Sequence, residues 1–168
     1  MNIVRPVVEN YPAIAEIFNQ AIVPFYEIYN TEEKQTFVLQ EDACSIADMA
    51  QSRQILCAQD TDGVLTGYVM FRKKNNQVVW ISGLYVVPIY QRKGIGLLLL
   101  DAVEQYARVE NCKIVALETH EKAIWAINFY LRATYEVAND KLFEVAYKDV
   151  LDYPPVGQRP VLVKIIKD

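Results

Sequence analysis

The amino-acid sequence predicts a single α/β domain built around a mixed β-sheet. Three apolar segments, Gln54–Gln59, Val64–Arg72 and Val78–Val87, are separated by short polar turns, a pattern typical of an antiparallel meander. The third segment leads into a glycine loop and a helix, and another strand follows at Lys113–Glu118. A right-handed crossover would make this strand a parallel neighbour of the third. A chain of 168 residues suits one domain, predicted here to cover residues 1–168.

The other elements follow from apolar spacing and from the residues that begin or end each segment. Asn10 is placed to cap the first helix, Pro24 interrupts it, and Asn111 is placed to end the helix after the glycine loop. Besides the segments above, the predicted elements are strands at Asn2–Val8, Tyr135–Val137 and Val161–Ile166, helices at Tyr11–Phe25, Glu41–Gln51, Ile95–Arg108 and Lys122–Arg132, and a long loop at Lys148–Arg159.

Composition argues against several classes of protein. The net charge of -4 and the isoelectric point near 5.1 disfavour a nucleic-acid partner, because phosphate contacts need a basic surface. The apolar run Val78–Tyr90 is shorter than the roughly 20 residues that span a bilayer, and the N-terminus lacks the apolar core of a signal peptide. Three widely separated cysteines predict free thiols in a reducing compartment and no metal site. We therefore expect a soluble cytoplasmic protein without a membrane partner.

The loop from Gln91 to Gly96 carries the clearest functional signal. Gly94 and Gly96 allow backbone N–H groups to converge at the first turn of the following helix, where the helix dipole also favours an anion. Arg92 and Lys93 add two positive charges at the same place. The loop therefore predicts a phosphate-binding site.

Other interpretations of the glycines fit less well. A dinucleotide-binding fold needs a small residue where Leu99 stands, although Glu118 falls near the distance expected for its ribose-binding acid. A Walker A loop needs Gly-Lys followed by Ser or Thr, which the chain lacks. A simple turn accounts for the glycines but not for the residues Gln91-Arg92-Lys93 before them or for Pro88 at the strand end.

At this point the sequence resembles the GNAT superfamily of N-acetyltransferases. The family has a strand ending in V-x-P and then [Q/R]-x-x-G-x-[G/A], and Val86–Gly96 (VVPIYQRKGIG) matches this pattern. A second family block, A-x-x-[F/L/I]-Y, matches Ala126–Tyr130. Thr134-Tyr135 stands where Gly-Phe is usual, and Ala123 where many members have a cofactor-binding asparagine. The resemblance runs from Asn2 to Val137 and implies a GNAT-like, mostly antiparallel sheet with a splayed central strand pair, flanked by helices.

The resemblance also implies a reaction, namely transfer of an acetyl group from acetyl-CoA, the acyl-donor cosubstrate, to a primary amine of a small molecule or peptide. The amine would attack directly through a tetrahedral intermediate, with Tyr130 as the acid that protonates the CoA thiolate and Glu118 as the base. His120, expected at the surface, and water are alternative bases. The implied cofactor-binding residues are Leu84, Tyr85, Val86, Gln91, Arg92, Lys93, Gly94, Ile95, Gly96 and Leu97.

In this family the segment between the first two helices covers the acceptor site. This implies that Phe25, Tyr26, Glu27 and Tyr29 bind the substrate, because aromatic rings and carboxylates attract a cation. Asp152-Tyr153 is a further candidate, and helix packing explains the aromatic residues equally well. Two other functions stay open: a catalytically silent CoA-binding regulatory module, and an interaction domain that forms a homodimer through the strand Val161–Ile166.

Overall fold

A computed structural model describes residues 1–37, 39–138 and 159–167 of the chain. The candidate pair Asp152-Tyr153 and the predicted loop up to residue 158 lie outside these residues. The helices are α1 (Tyr11–Ala21), α2 (Val23–Ile28), α3 (Thr31–Thr36), α4 (Ala43–Ala50), α5 (Ile95–Val109) and α6 (Ile124–Arg132). The strands are β1 (Asn2–Val4), β2 (Gln54–Gln59), β3 (Leu65–Lys73), β4 (Val78–Val86), β5 (Ile114–Glu118), β6 (Glu136–Val137) and β7 (Val161–Ile165).

The strands form a sheet in the order β1-β2-β3-β4-β5-β7-β6. The pairs β1–β2, β2–β3, β5–β7 and β6–β7 are antiparallel, whereas β4 and β5 are parallel. The parallel pairing joins Val78–Ile81 to Ile114–Leu117, and β4 itself continues to Val86. The predicted fold class, a mixed and mostly antiparallel sheet flanked by helices, is therefore confirmed.

The first of two compact units contains residues Met1–Phe71 and Gly83–Ala102. Its core forms where α1 and α4 pack on β2 and β3, because the apolar side chains of α1 recur at the spacing of one helix face. The fully or almost fully buried side chains of this core include Ile14, Ile17, Phe18, Ile46, Cys57, Tyr68 and Met70.

The second unit contains residues Arg72–Ser82 and Val103–Asp168. Its central strand β5 has β4 on one side and β7 on the other, and its residues Ile114–Leu117 are all buried. A strand covered on both faces needs continuous rather than alternating apolar residues, which explains the sequence Ile-Val-Ala-Leu.

The segment between α1 and α4 contains more helix than the sequence predicted. The predicted helix Tyr11–Phe25 ends at Ala21, and α2 then starts at Val23 with Pro24 in its first turn, where the missing N–H is not needed. The short helix α3 was not predicted. It is capped by Asn30, whose side chain accepts the Glu33 N–H, while the Glu33 carboxylate accepts the Asn30 N–H.

The position of β7 bears on the predicted homodimer. Strand pairing between two copies needs a free edge, but β7 has β5 on one side and β6 on the other. Because β6 pairs only with Leu162 and Val163 of β7, the homodimer through Val161–Ile166 stays a prediction. Among the helices of the described residues, none has the length and apolarity needed to cross a membrane.

The departure from the family pattern at Thr134 gives a stability prediction. Thr134 has a φ of 65°, a left-handed conformation that glycine adopts freely and that strains a β-branched residue. We expect Thr134→Gly to raise the free energy of unfolding by about 0.5–1 kcal/mol, because relief of strain exceeds the added entropy of the unfolded chain. Urea denaturation measures this change. Thr36→Gly in α3 is the control, and it should destabilise the protein because glycine disfavours a helix.

Candidate active site

The loop before α5 presents a row of backbone donors. Arg92 and Gly94 have left-handed φ values of 63° and 83°, and the Gly94 carbonyl accepts the Leu98 N–H at 3.0 Å, so that Gly94 caps the helix. Within the described part of the chain, the six N–H groups from Arg92 to Leu97 have no hydrogen-bond acceptor. We call this row the amide cradle. Its donors and the positive end of α5 suit a phosphate group.

Side chains near the start of the amide cradle connect it to neighbouring segments. The Gln91 side chain donates from Nε2 to the Val86 carbonyl at 3.0 Å, which ties the loop to the end of β4. The Lys93 ammonium lies 5.2 Å from the centre of the Tyr90 ring, and the Tyr90 hydroxyl donates to Asp60 at 3.4 Å. Arg92 and Lys93 are exposed, so their charges are available to an anion in solution.

The last residues of β4 alternate in direction. The Val87 N–H donates to the Thr66 carbonyl at 3.0 Å, and a Cβ on Gly67 would lie only 2.8 Å from the Tyr85 carbonyl. The backbone groups of Tyr85 therefore face β3, while those of Leu84 and Val86 face the other way. The Tyr85 ring instead packs on Phe18 at 4.9 Å. Of the three predicted pantetheine contacts, Leu84 and Val86 thus direct backbone donors and acceptors away from β3.

In the second unit, Tyr130 lies near the end of α6 and is only 7% exposed. Its ring packs edge to face on Phe129 at 5.0 Å and on Tyr135 at 5.8 Å. Burial raises the pKa of Tyr130 well above its usual value near 10, because the phenolate would be poorly solvated. Among the described residues its hydroxyl has no hydrogen-bond partner. Tyr130 is therefore a neutral phenol with a proton to donate.

The two candidate bases both lie at the end of β5. Glu118 forms an ion pair with Arg159 at 3.5 Å, and both side chains are about nine-tenths buried. The expectation that His120 lies at the surface was wrong, since His120 is 4% exposed. Its Nδ1 accepts the Lys122 N–H at 3.1 Å, which leaves the proton of a neutral imidazole on Nε2. At the start of α6, Ala123 is buried and offers no polar side chain.

The predicted substrate-binding residues belong to α2 and its end. Phe25 and Tyr26 pack against the core of the first unit, and the Tyr26 hydroxyl donates to the Leu39 carbonyl. Tyr29 is buried between the rings of Phe25 and Phe37. Glu27 is exposed. Packing accounts for most of these aromatic contacts, and their role in substrate binding stays a prediction.

A cavity of about 210 Å³ in the first unit lies elsewhere. It is lined by Arg5, Tyr11, Arg53 and the first two residues of β2. Gln54 at that end of β2 is opposite Phe71, whereas Ala58 near the other end is opposite Gly67. The cavity and the Gly67–Tyr85 contact therefore lie at opposite ends of the β2–β3 pair.

The sequence did not indicate one buried carboxylate of the first unit. Glu41 is 9% exposed, and its backbone is held at both ends by the side chain of Asn19. In the sequence it precedes Asp42, the residue that caps α4, so it reads as one more acid at a helix start. Only the burial seen in the structure distinguishes it.

Comparisons with known proteins agree with this geometry. A sequence model of the acetyltransferase (GNAT) family matches residues 14–135. The chain resembles the PaiA N-acetyltransferase of Thermoplasma acidophilum in complex with coenzyme A, with a TM-score of 0.76, 18% identity and 98% of each chain covered. A GNAT-family acetyltransferase of Staphylococcus aureus Mu50 gives 0.75, 18% and 99% of each chain.

The ribosomal-protein-S18-alanine N-acetyltransferase of Escherichia coli matches with a TM-score of 0.67 and 15% identity, over 99% of this chain and 94% of the other. A search of the curated proteins finds no match. At these identities the solved structures establish the fold, and the family model, which covers most of the chain, establishes the family. The chain belongs to the GNAT family of acetyltransferases, enzymes that take acetyl-CoA as the acetyl donor.

Proposed function

We propose that this protein transfers the acetyl group of acetyl-CoA to a primary amine of a small molecule or peptide by direct attack. The observation that carries the proposal is the amide cradle, in which six successive N–H groups lack an acceptor within the described residues. An anion can replace water as the acceptor at the start of a helix, and a pyrophosphate supplies acceptors for a whole row of such donors. The charges of Arg92 and Lys93 add to the attraction.

The end of β4 supports the binding of the rest of the donor. Leu84 and Val86 point backbone groups away from β3, and the amides of pantetheine can pair with such groups as an added strand would. Gln91 already occupies the Val86 carbonyl, so we assign the pantetheine contacts to the remaining groups of Leu84 and Val86. A strand N–H near the thioester can also stabilise the oxyanion of the tetrahedral intermediate.

The proton transfers follow from the chemistry of the reaction. The amine nitrogen forms a bond to the acetyl carbon, the carbon–sulfur bond breaks, and the thiolate takes a proton from the buried Tyr130 phenol. The amine loses one proton to a base. We assign this step to Glu118 or to water, with His120 as the third candidate. The Arg159 ion pair fixes the position of the Glu118 side chain.

The single domain, the compartment and the oligomeric state are part of the same proposal. We place the whole chain in one acetyltransferase domain of a cytoplasmic enzyme that takes an amine substrate. Three free cysteines, of which Cys57 and Cys112 are buried, are in keeping with a reducing compartment. A homodimer is compatible with this function but is not required by it.

A thermal-shift experiment with a turnover assay tests the proposal. Acetyl-CoA at 100 times its Kd should add about 2.7 kcal/mol, which raises Tm by roughly 5–10 °C for a chain of this size, while NADH should have no effect. The double variant Arg92→Gln/Lys93→Gln should bind acetyl-CoA about tenfold more weakly, with a smaller dependence on salt. Lys34→Gln/Lys167→Gln removes the same charge from exposed sites and is the matched control.

The outcomes separate the candidate functions. Stabilisation by acetyl-CoA together with CoA release in the presence of primary amines supports the transferase. Stabilisation by acetyl-CoA without release of CoA for any amine in a broad panel favours the regulatory module. The alanine at position 123, where many family members have a cofactor-binding asparagine, would be in keeping with that function. If acetyl-CoA does not stabilise the protein, the amide cradle is only a turn, and the proposal is wrong.

A further inference from the structure

Glu41 is held rigidly in the first unit, although it lies outside any regular element. The Asn19 side-chain amide donates to the Glu41 carbonyl at 2.9 Å, and the Asn19 side-chain oxygen accepts the Glu41 N–H at 2.8 Å. Two residues earlier, the Leu39 carbonyl accepts the Tyr26 hydroxyl. One residue later, Asp42 caps α4 through the Ser45 N–H at 2.8 Å. Hydrogen bonds at Leu39, Glu41 and Asp42 therefore hold the backbone on both sides of Glu41.

Glu41 interacts electrostatically with the aromatic core of the first unit. Burial raises the pKa of the Tyr68 phenol, and Tyr85, then Glu41, then Cys57 add smaller electrostatic effects. The Tyr68 and Tyr85 rings pack at 5.4 Å, and Phe18 packs on Tyr85. Burial raises the pKa of Cys57 to about 12, so this thiol stays neutral.

No cation of the described chain pairs with Glu41. It forms no ion pair with any lysine, arginine or histidine among residues 1–37, 39–138 and 159–167. Glu41 is 9% exposed. Its carboxylate oxygens are not in the set of fully buried side-chain atoms that lack a hydrogen-bond partner among the described residues. Buried carboxylates are ordinarily paired, because desolvation of an isolated charge is unfavourable. A cation arriving from solvent would supply such a partner.

We propose that Glu41 binds the ammonium group of a primary alkylamine acceptor. This inference rests on the proposed function and names the residue that selects its substrate. A primary ammonium can donate three hydrogen bonds, whereas a quaternary ammonium has no N–H to donate. Binding of the ammonium does not fix which base later removes its proton.

A binding experiment tests the role of Glu41 apart from catalysis. The ¹⁵N-labelled protein, alone and saturated with CoA, is titrated with butylammonium chloride, with butanol as the neutral control and tetramethylammonium as the quaternary control. We expect the Kd for butylammonium to rise about tenfold or more in Glu41→Gln, the effect of one charge-assisted contact. Glu16→Gln, the same change on the exposed face of α1, should leave this Kd unchanged. Butanol should not distinguish the proteins, and tetramethylammonium should bind more weakly than butylammonium.

The stability of the free variant separates substrate binding from a structural role. Because Glu41 lacks a cation partner among the described residues, Glu41→Gln should leave Tm equal to or above that of the wild type. Glu41→Asp keeps the charge on a side chain one methylene shorter and should bind butylammonium with intermediate affinity. This variant keeps the test valid if the glutamine variant folds poorly. A Kd within twofold of wild type in Glu41→Gln would overturn the inference, as would a lower Tm with unchanged binding. If acetyl-CoA fails to stabilise the protein while butylammonium binding still depends on Glu41, the proposed function fails and the cation site stands.

Discussion

Tyr130→Phe should lower kcat about 100-fold or more at saturating acetyl-CoA and amine, which is the usual contribution of a general acid. The phenylalanine ring keeps the packing on Phe129 and Tyr135 and removes only the proton donor. The acetyl-CoA Kd should therefore not change. Steady-state release of CoA measures kcat, and the thermal shift with acetyl-CoA measures binding separately.

The pH dependence of the wild-type enzyme tests the same role. A tyrosine with its usual pKa near 10 would lose its proton, and its activity as an acid, as the pH approaches 10. Burial raises the pKa of Tyr130, so the phenol keeps its proton through this range. We expect kcat to rise with pH as the amine loses its proton and then to stay level to about pH 10, with no falling limb.

Protein stability limits the range of this experiment. Burial also raises the pKa values of Tyr68 and Tyr135, so the unfolded chain releases protons above about pH 10 that the folded chain retains. For these groups the stabilisation is complete below the unfolded pKa and is lost as the pH rises above it. Circular dichroism at each pH should therefore accompany the kinetics.

The control for Tyr130 is Tyr11→Phe, which makes the same change on a partly buried tyrosine of the first unit. It should retain the wild-type kcat. If Tyr130→Phe retains kcat within about threefold, another group or water protonates the thiolate. A falling limb that stays in the Tyr130→Phe profile would also assign the titration to a different residue.

The elements that could be predicted from sequence are those with a local physical requirement. Gly94 is needed at a φ of 83°, and Asn111 ends α5 at a φ of 55°, so both residues mark their positions in the sequence. The buried strand Ile114–Leu117 was equally clear from its continuous apolar residues. The motif Val86–Gly96 combined several such requirements, and this made the amide cradle the most predictable part of the candidate site.

The parts that could not be predicted depend on contacts between distant residues. His120 was expected at the surface because nothing next to it in sequence indicates burial, and it is buried. Arg159 approaches Glu118 because β7 pairs with β5, a pairing that joins segments about 40 residues apart. Glu41 is distinguished by its burial, and the residue that holds its backbone, Asn19, lies 22 residues away. Local sequence patterns do not indicate contacts between residues that are far apart in the chain.

A buried ion pair in the second unit depends on the same kind of long-range contact and has the largest expected effect on stability. Lys164 of β7 donates to Glu104 of α5 at 2.9 Å and to the Ala133 carbonyl at 3.1 Å. Its ammonium also lies 5.6 Å from the centre of the Tyr135 ring. Glu104 is buried, with Arg108 only at 4.0 Å as a second cation.

Lys164→Met should lower the free energy of unfolding by about 2–4 kcal/mol, because it leaves the buried Glu104 carboxylate without its close partner. The estimate lies at the low end for a broken buried pair, since Lys164 is about one-quarter exposed and partly screened by solvent. Urea denaturation monitored by circular dichroism measures the change. Lys73→Met makes the same substitution in the exposed pair Lys73–Glu110 and should change stability little.

The double variant Glu104→Leu/Lys164→Met distinguishes two origins of this cost. One is the buried Glu104 carboxylate left unpaired, and the other is the loss of the contacts of Lys164. If the cost of Lys164→Met comes from an unpaired Glu104, removal of both charges should recover most of the lost stability. If the cost comes from the contacts of Lys164 with Ala133 and Tyr135, the double variant should be as unstable as the single one. Because Tyr135 packs on Tyr130, the second result would mean that Lys164 also supports the proposed general acid, and kcat should then fall in both variants.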